Sequence, residues 1–171
     1  VTGLVGSEMC IRDSAYTSDQ PLADSVRSDL RRSRSAVENI IPNETWAPDY
    51  VSQLLPKFKN KISGMAMNVP VANGSCVDLT TEMSSMPSIE EVNNAFKDAS
   101  ENELIDLIRY TEDPIVSSDA IGGGETMVFD SKATMIASNK LLKTISWFDN
   151  GWGFANRILE LSESYNELES N

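Results

Sequence analysis

The 171-residue chain contains no histidine. Histidine is the commonest general base near neutral pH and the commonest zinc ligand, so a self-contained Ser-His or Cys-His enzyme is excluded. Cysteine is scarce as well. Cys10 and Cys76 are the only two, too few for a disulfide framework, and the expectation is a reducing, cytoplasmic setting. Positive charge is short: Lys and Arg number 14 against 26 Asp and Glu, a formal charge of −12. That balance argues against nucleic acid or an anionic membrane surface as the main partner. No apolar run approaches the roughly 18 residues of a membrane-spanning helix. The carboxylates show no calcium-loop clustering, so no metal site is expected. Gly122-Gly123-Gly124 lacks the last glycine of a dinucleotide fingerprint, and a loop or hairpin is its expected use.

What remains is a globular composition, 40% hydrophobic and 23% charged, long enough for one domain with a sizeable core. The segment Ala15–Asn43 is polar and irregular, with Arg27, Arg31, Arg32 and Arg34 among serines and acids. On spacing alone it reads as a solvated loop or short helix. Asn43 and Thr45 precede Ala47-Pro48-Asp49, a helix start with proline in the first turn. Tyr50, Val51, Leu54 and Leu55 give that helix an apolar face, and Pro56 stops it. Ile62–Val69 and Cys76–Met83 alternate as half-buried strands, with Met65, Met67 and Val69 opposite Ala66 and Asn68. Ser88 and Glu91 form a capping-box pattern ahead of Val92, Phe96 and Ala99. Short strands are expected at Leu107–Thr111, Ile115–Ser118, Thr126–Asp130 and Ala133–Ser138, and the longest at Leu141–Phe148. A final amphipathic helix, Gly151–Leu168, carries Phe154, Ile158, Leu161, Tyr165 and Leu168 on one stripe and is expected to pack on the sheet. The fold class is α+β, a largely antiparallel mixed sheet with helices on one face.

Val1–Ser14 reads VTGLVGSEMCIRDS. It has neither the basic n-region nor the apolar core of a signal peptide. The string SEMCIRDS resembles the translation of a sequencing adapter. Residues 1–14 are therefore expected to be a non-native leader, the other reading being an ordinary N-terminus. In either case no fold and no chemistry are assigned to them.

A resemblance carries further than periodicity. Ser14-Ala15-Tyr16-Thr17-Ser18-Asp19-Gln20 is similar to the HAYTNDQ segment of the glyceraldehyde-3-phosphate dehydrogenase family. Asp29-Leu30-Arg31-Arg32-Ser33-Arg34 and Glu38-Asn39-Ile40-Ile41-Pro42 resemble its DLRRAR…ENIIP stretch. Ile62–Pro70, with Val77-Asp78-Leu79, resembles LTGMAFRVP…VVDL. Tyr110-Thr111-Glu112-Asp113 with Ile115–Asp119 resembles YTEDEVVSTD, and Ser146–Asn150 with Gly153–Arg157 resembles SWYDNEYGYSNR. The matches occur in family order across most of the chain. The related erythrose-4-phosphate dehydrogenase also ends in WGFANR, as Trp152–Arg157 does here, and is the alternative. A non-catalytic paralogue serving binding or assembly is a second one.

The resemblance implies that residues 15–171 are the catalytic domain, with an S-loop at about 18–42, and that the NAD- or NADP-binding Rossmann domain is absent. It implies a homotetramer in which the S-loop lies between subunits. It also implies that the last helix lies against the Rossmann domain, leaving an apolar face bare in this chain. In the family a cysteine thiolate attacks the aldehyde, hydride passes to the nicotinamide, and phosphate releases the acyl group, with a histidine as acid and base. Neither catalytic residue is present. Ser14 occupies the histidine position, and the cysteine position lies upstream of Val1. Truncation and genuine loss of activity are the two accounts of this.

Binding residues do carry over by motif. Thr17 and Asp19 match positions around the substrate-phosphate site, and Arg32 matches an arginine near it. Thr45 matches the threonine of the inorganic-phosphate site, although Trp46 follows where glycine is usual. Asn68 stands where the family has a phosphate-directed arginine, and strand alternation points it toward the same site. Asn150 matches the asparagine that hydrogen-bonds the nicotinamide amide, and Phe154 a ring that packs near it. Gly151 replaces the usual glutamate.

Overall fold

The computed structural model describes the backbone of residues 9–14 and 21–169. The elements run β1 (Met9–Ser14), β2 (Ile41–Asn43), α1 (Ala47–Leu54), β3 (Ile62–Asn68), β4 (Ser75–Glu82) and α2 (Ile89–Glu101). They continue with β5 (Ile108–Thr111), β6 (Met127–Asp130), β7 (Met135–Ile136), β8 (Leu141–Phe148) and α3 (Asn150–Glu169). Among the described residues the strands form one eight-stranded sheet in the order β2-β3-β1-β4-β8-β6-β5, with β7 on the far part of β8. Two neighbour pairs are parallel, β1 with β3 and β5 with β6, and the rest are antiparallel. The α+β, mainly antiparallel expectation holds.

Residues 9–14 differ from their expectation. Met9–Ser14 is an inner strand, parallel to β3 from Met9↔Ile62 to Ser14↔Met67 and antiparallel to β4 from Met9↔Thr81 to Ser14↔Cys76. No fold was expected there. Strand pairing is carried by backbone N–H and C=O groups, so a six-residue stretch free of proline and glycine can fill a vacant lane between two strands whatever its side chains. Without it β3 and β4 would each present an unpaired edge.

The core lies under α2. Met83, Val92, Phe129 and Leu142 form its buried cluster, with Phe96, Ile108 and Tyr110 packed around it. Phe129 is 0% exposed and stacks on Phe96 with ring centroids 3.8 Å apart. Helix α2 starts as its sequence dictates. The Ser88 hydroxyl accepts from the Glu91 N–H at 3.1 Å, and the Glu91 carboxylate accepts from the Ser88 N–H at 2.8 Å. The Ser88 N–H and hydroxyl hold the Glu91 carboxyl below its ordinary value.

One expected strand, Ile115–Ser118, is absent and another, Ala133–Ser138, is shortened. Ser117–Ala120 is a 3₁₀ turn, because the Asp119 carboxylate accepts from the Val116 N–H at 2.8 Å. Within Ala133–Ser138 only Met135–Ile136 pairs with β8, since Asp130 accepts from Lys132 and Ala133 N–H and starts a 3₁₀ turn at Ser131–Ala133. The apolar faces of α1 and α3 are uncovered. Tyr50 and Leu54 are exposed, and so are Phe154, Ile158, Leu161, Tyr165 and Leu168. The expectation that the last helix buries its stripe on the sheet is therefore corrected. The uncovered face is the one that the resemblance implied.

Gly74 and Gly122 both have positive φ, +84° and +76°. A Cβ at Gly74 would meet the Ser117 carbonyl oxygen at 2.4 Å, whereas one at Gly122 would meet nothing within 4 Å. Gly122→Ala should therefore cost only the left-handed backbone penalty, about 1–2 kcal/mol. Gly74→Ala should cost that plus a backbone clash, about 1–3 kcal/mol more by the usual cost of overpacking. Urea midpoints of the two variants check this, and a Gly74→Ala midpoint at or above that of Gly122→Ala contradicts it.

Candidate functional site

The sheet gathers one set of expected site residues at a single end. Ser14 ends β1 beside Met67 and Cys76. Asn68 ends β3 opposite Ile41. Ser75 opens β4 opposite Phe148, the last residue of β8. The chain then turns through Asp149 into α3. This convergence is what antiparallel pairing of β4 with β8 and parallel pairing of β1 with β3 requires.

Asp149 shapes the turn. It is 7% exposed. Its Oδ2 accepts from the Asn73 side-chain amide and from the Gly122 N–H, each at 3.0 Å. Its Oδ1 accepts from the Trp152 N–H at 3.1 Å, and its carbonyl from the Gly153 N–H at 2.9 Å. That is an N-cap for α3, extended to two loops from elsewhere in the sequence. Burial is the largest single influence on its carboxyl and pushes the pKa up, but hydrogen bonds from Trp152, Gly122 and Asn73 together outweigh it and hold the group below the ordinary aspartate range. Arg157 strengthens the same junction, donating to Thr126 Oγ1 at 2.7 Å and the Gly124 carbonyl at 3.3 Å, and pairing with Glu160.

The expected cofactor residues stand on this capped turn. Asn150 is the first residue of α3 and is exposed. Phe154 follows one turn later, 67% exposed, with Trp152 also exposed between them.

The expected phosphate residues are divided. In the arginine-rich segment, Asp29 Oδ1 accepts from Arg31 N–H at 2.9 Å and Arg32 N–H at 3.2 Å, and Arg34 pairs with Asp24 at 3.1 Å. The segment is an ordered, turn-rich loop. Arg32 Nε donates to Asn43 Oδ1 at 3.3 Å, tying the loop to β2. Arg31, Arg32, Asn43, Glu44 and Met65 line an open groove of about 620 Å³. Thr45 adjoins it in sequence, but its hydroxyl accepts from the Ala47 N–H at 3.2 Å at the start of α1. Asn68 does not line the groove. It is 5% exposed, on the face of β3 opposite the exposed Met65. It stands on the inward side of β3, at the end of the sheet shared by Ser14 and the α3 turn. Thr17 and Asp19 lie outside the described residues.

Sequence reasoning did not single out Asp149, although an acidic residue directly before a periodic helical stretch is an N-cap signal. It also missed the pairing of Arg32 with Asn43, which carries no signal because the two come from different elements.

A sequence model of the family described as glyceraldehyde 3-phosphate dehydrogenase, C-terminal domain, matches residues 6–150. The chain is 47% identical over 148 residues to glyceraldehyde-3-phosphate dehydrogenase 2 of Streptomyces avermitilis, covering 86% of this chain and 44% of that protein. It is 45% identical over 149 residues to the glyceraldehyde-3-phosphate dehydrogenase of Streptomyces coelicolor, covering 86% and 44%. For the enzyme of Priestia megaterium the figures are 42% over 149 residues, 87% and 44%. The chain thus spans less than half the length of these relatives. The matched span covers β1 to β8 and ends at Asn150, on the turn capped by Asp149, and on that evidence the chain belongs to the glyceraldehyde 3-phosphate dehydrogenase C-terminal domain family.

Proposed function

We propose that this chain supplies the catalytic-domain portion of an NAD(P)-dependent phosphorylating dehydrogenase that converts glyceraldehyde 3-phosphate to an acyl phosphate in the cytoplasm. The observation that carries the reading is identity of 41–47% to dehydrogenases of that name over about six-sevenths of the chain. In this reading Arg32 and Thr45, with Thr17 and Asp19, hold the aldehyde phosphate and inorganic phosphate. Arg32 supplies the guanidinium that a phosphate prefers, at the rim of an open groove. Asn68 is buried outside that groove, so an Asn in place of Arg there leaves the groove's phosphate contacts to Arg31 and Arg32.

The α3 turn fits one end of a nicotinamide. Asn150 offers an exposed amide able both to donate and to accept, and Phe154 an exposed ring beside it. Bound NAD or NADP supplies a hydride acceptor. Asn150 would orient the carboxamide of the cofactor and Phe154 would shield one side of its ring from water. Selection between NAD and NADP belongs to a nucleotide-binding domain.

The chain's own residues do not complete the chemistry. With no histidine, and with Ser14 at the position the family motif gives to it, no imidazole can move the thiol proton. The full reading is a protein in which a segment upstream of Val1 supplies the cysteine nucleophile, a Rossmann domain binds the cofactor and a homotetramer buries the S-loop. The exposed stripe of α3 and the exposed Leu22, Val26 and Leu30 of the arginine-rich loop are the surfaces that such partners would cover. Erythrose 4-phosphate is the second substrate reading, favoured by Trp152–Arg157.

Expression of the full reading frame around this chain tests the proposal. NAD(P) reduction with glyceraldehyde 3-phosphate and phosphate is expected, at a higher kcat/KM than with erythrose 4-phosphate. A frame with no cysteine nucleophile upstream and no turnover would turn the reading to a non-catalytic paralogue.

A further inference from the structure

Asp149 lies outside every role that the family motifs assign, yet its carboxylate joins three distant stretches of chain. Asn73 reaches it from the loop between β3 and β4, Gly122 from the loop before β6, and Trp152 from the first turn of α3. Each donor is itself held. The Asn73 side-chain carbonyl accepts from the Gly74 N–H at 2.8 Å, which fixes the direction of its amide. Gly74 lies so close to Ser117 that no Cβ fits between them. Gly122 has φ +76°, a conformation open to glycine, and presents its N–H to the carboxylate from there. With both oxygens engaged and the Asp149 carbonyl accepting from Gly153, the backbone between residues 149 and 150 has little freedom to rotate. Asn150 is the next residue, and its exposed side chain leaves the backbone at that point.

We propose that Asp149 is a positioning residue for cofactor recognition, fixing the first turn of α3 so that Asn150 presents its amide in one orientation. The inference rests on the reading of Asn150 given above. A cap for α3 alone would need only the Trp152 and Gly153 contacts. The additional donors from Asn73 and Gly122 make the direction of α3 answer to two loops at the same end of the sheet. Asparagine cannot replace the carboxylate here. All three donors point at oxygen, and an amide would turn its own N–H₂ toward at least one of them.

The test uses the full-length enzyme of the proposed reading, with Asp149→Asn, Asn150→Ala and the double variant. Asp149→Asn is expected to raise KM for the nicotinamide cofactor about tenfold while kcat changes less than about threefold, since uniform binding is what is lost. The double variant is expected to match Asn150→Ala within about twofold, because both act through one contact. If Asp149→Asn does not fold, Asn73→Ala keeps the charge and removes one donor, and a threefold rise in KM for the cofactor is expected from it. An unchanged cofactor KM in Asp149→Asn, or in Asn73→Ala as its substitute, while Asn150→Ala raises KM, overturns the positioning role and leaves the functional reading intact. Additive losses in the double variant, or parallel losses in kcat and thermal stability with KM unmoved, overturn it too, by assigning Asp149 to stability alone. An Asn150→Ala enzyme with unchanged cofactor KM removes the reading itself, and the inference with it.

Discussion

Mixed with glyceraldehyde 3-phosphate, inorganic phosphate and NAD or NADP, the 171-residue chain is expected to give no reduced cofactor above a protein-free blank. The chain contains no imidazole, and general acid–base catalysis of this kind is worth about 10²–10⁴ in rate. The thiol side is equally deficient. Cys76 is half-buried in the middle of the sheet, its β4 lane flanked by β1 at Ser14 and by β8 at Trp147. Cys10 sits near the start of β1, across from Ser63 and Thr80, at the end of the strand away from Asn68 and Asn150. Cys10 is therefore remote from the α3 turn, and Cys76, although it pairs with Trp147 close to that turn, has no imidazole in the chain to activate it. Turnover above the blank that disappears in Cys76→Ser would show that a sheet cysteine has taken over the nucleophile's role, and the assignment of the chemistry to residues outside this chain would fall.

Legibility in the sequence followed how local each signal was. The start of helix α2 could be read to the residue because Ser88 and Glu91 cap each other over three positions. Strands β3, β4 and β8 could be read because alternation survives in long runs. Ile115–Ser118 is lost and Ala133–Ser138 is cut to Met135–Ile136 for one shared reason. Each contains β-branched or apolar residues, but Asp119 and Asp130 offer the backbone a side-chain acceptor, and local capping defeated a weak strand preference. Strand β1 had no periodic signal at all, since its six residues are held by the lanes on either side. The α3 stripe was legible as amphipathic and illegible as to partner. Periodicity shows that a face is apolar and says nothing of what covers it. The site divided the same way. Arg32, Thr45, Asn68, Asn150 and Phe154 came from motif order, which names positions without showing what binds there. The acid that organises the α3 turn was passed over because two of its three donors lie 76 and 27 residues away.

Phe129→Ala is expected to be the most destabilising single truncation in the chain. Phe129 is the only large side chain fully buried among the described residues. Its ring stacks on Phe96 at 3.8 Å and lies 6.1 Å from Tyr110. It therefore joins α2 to β5 and β6 in one layer, above the pairing of Phe129 with Ser146 on β8. Removing a buried phenyl ring costs about 3–5 kcal/mol in transfer and cavity terms. The loss of aromatic stacking adds about 0.5–1.5 kcal/mol beyond area. Single domains have about 5–15 kcal/mol in total, so the variant should sit near the edge of folding. Among the described residues the layer is also the only place where a helix buries an apolar stripe on the sheet, since α1 and α3 keep theirs exposed. Little elsewhere can compensate. A comparison with Leu161→Ala on the open face of α3 separates burial from hydrophobicity: that change should move the urea midpoint by less than about 0.5 kcal/mol equivalent. Far-UV circular dichroism in urea reads both. A Phe129→Ala midpoint no lower than that of Leu161→Ala would show that the α2 layer is not what holds the domain together.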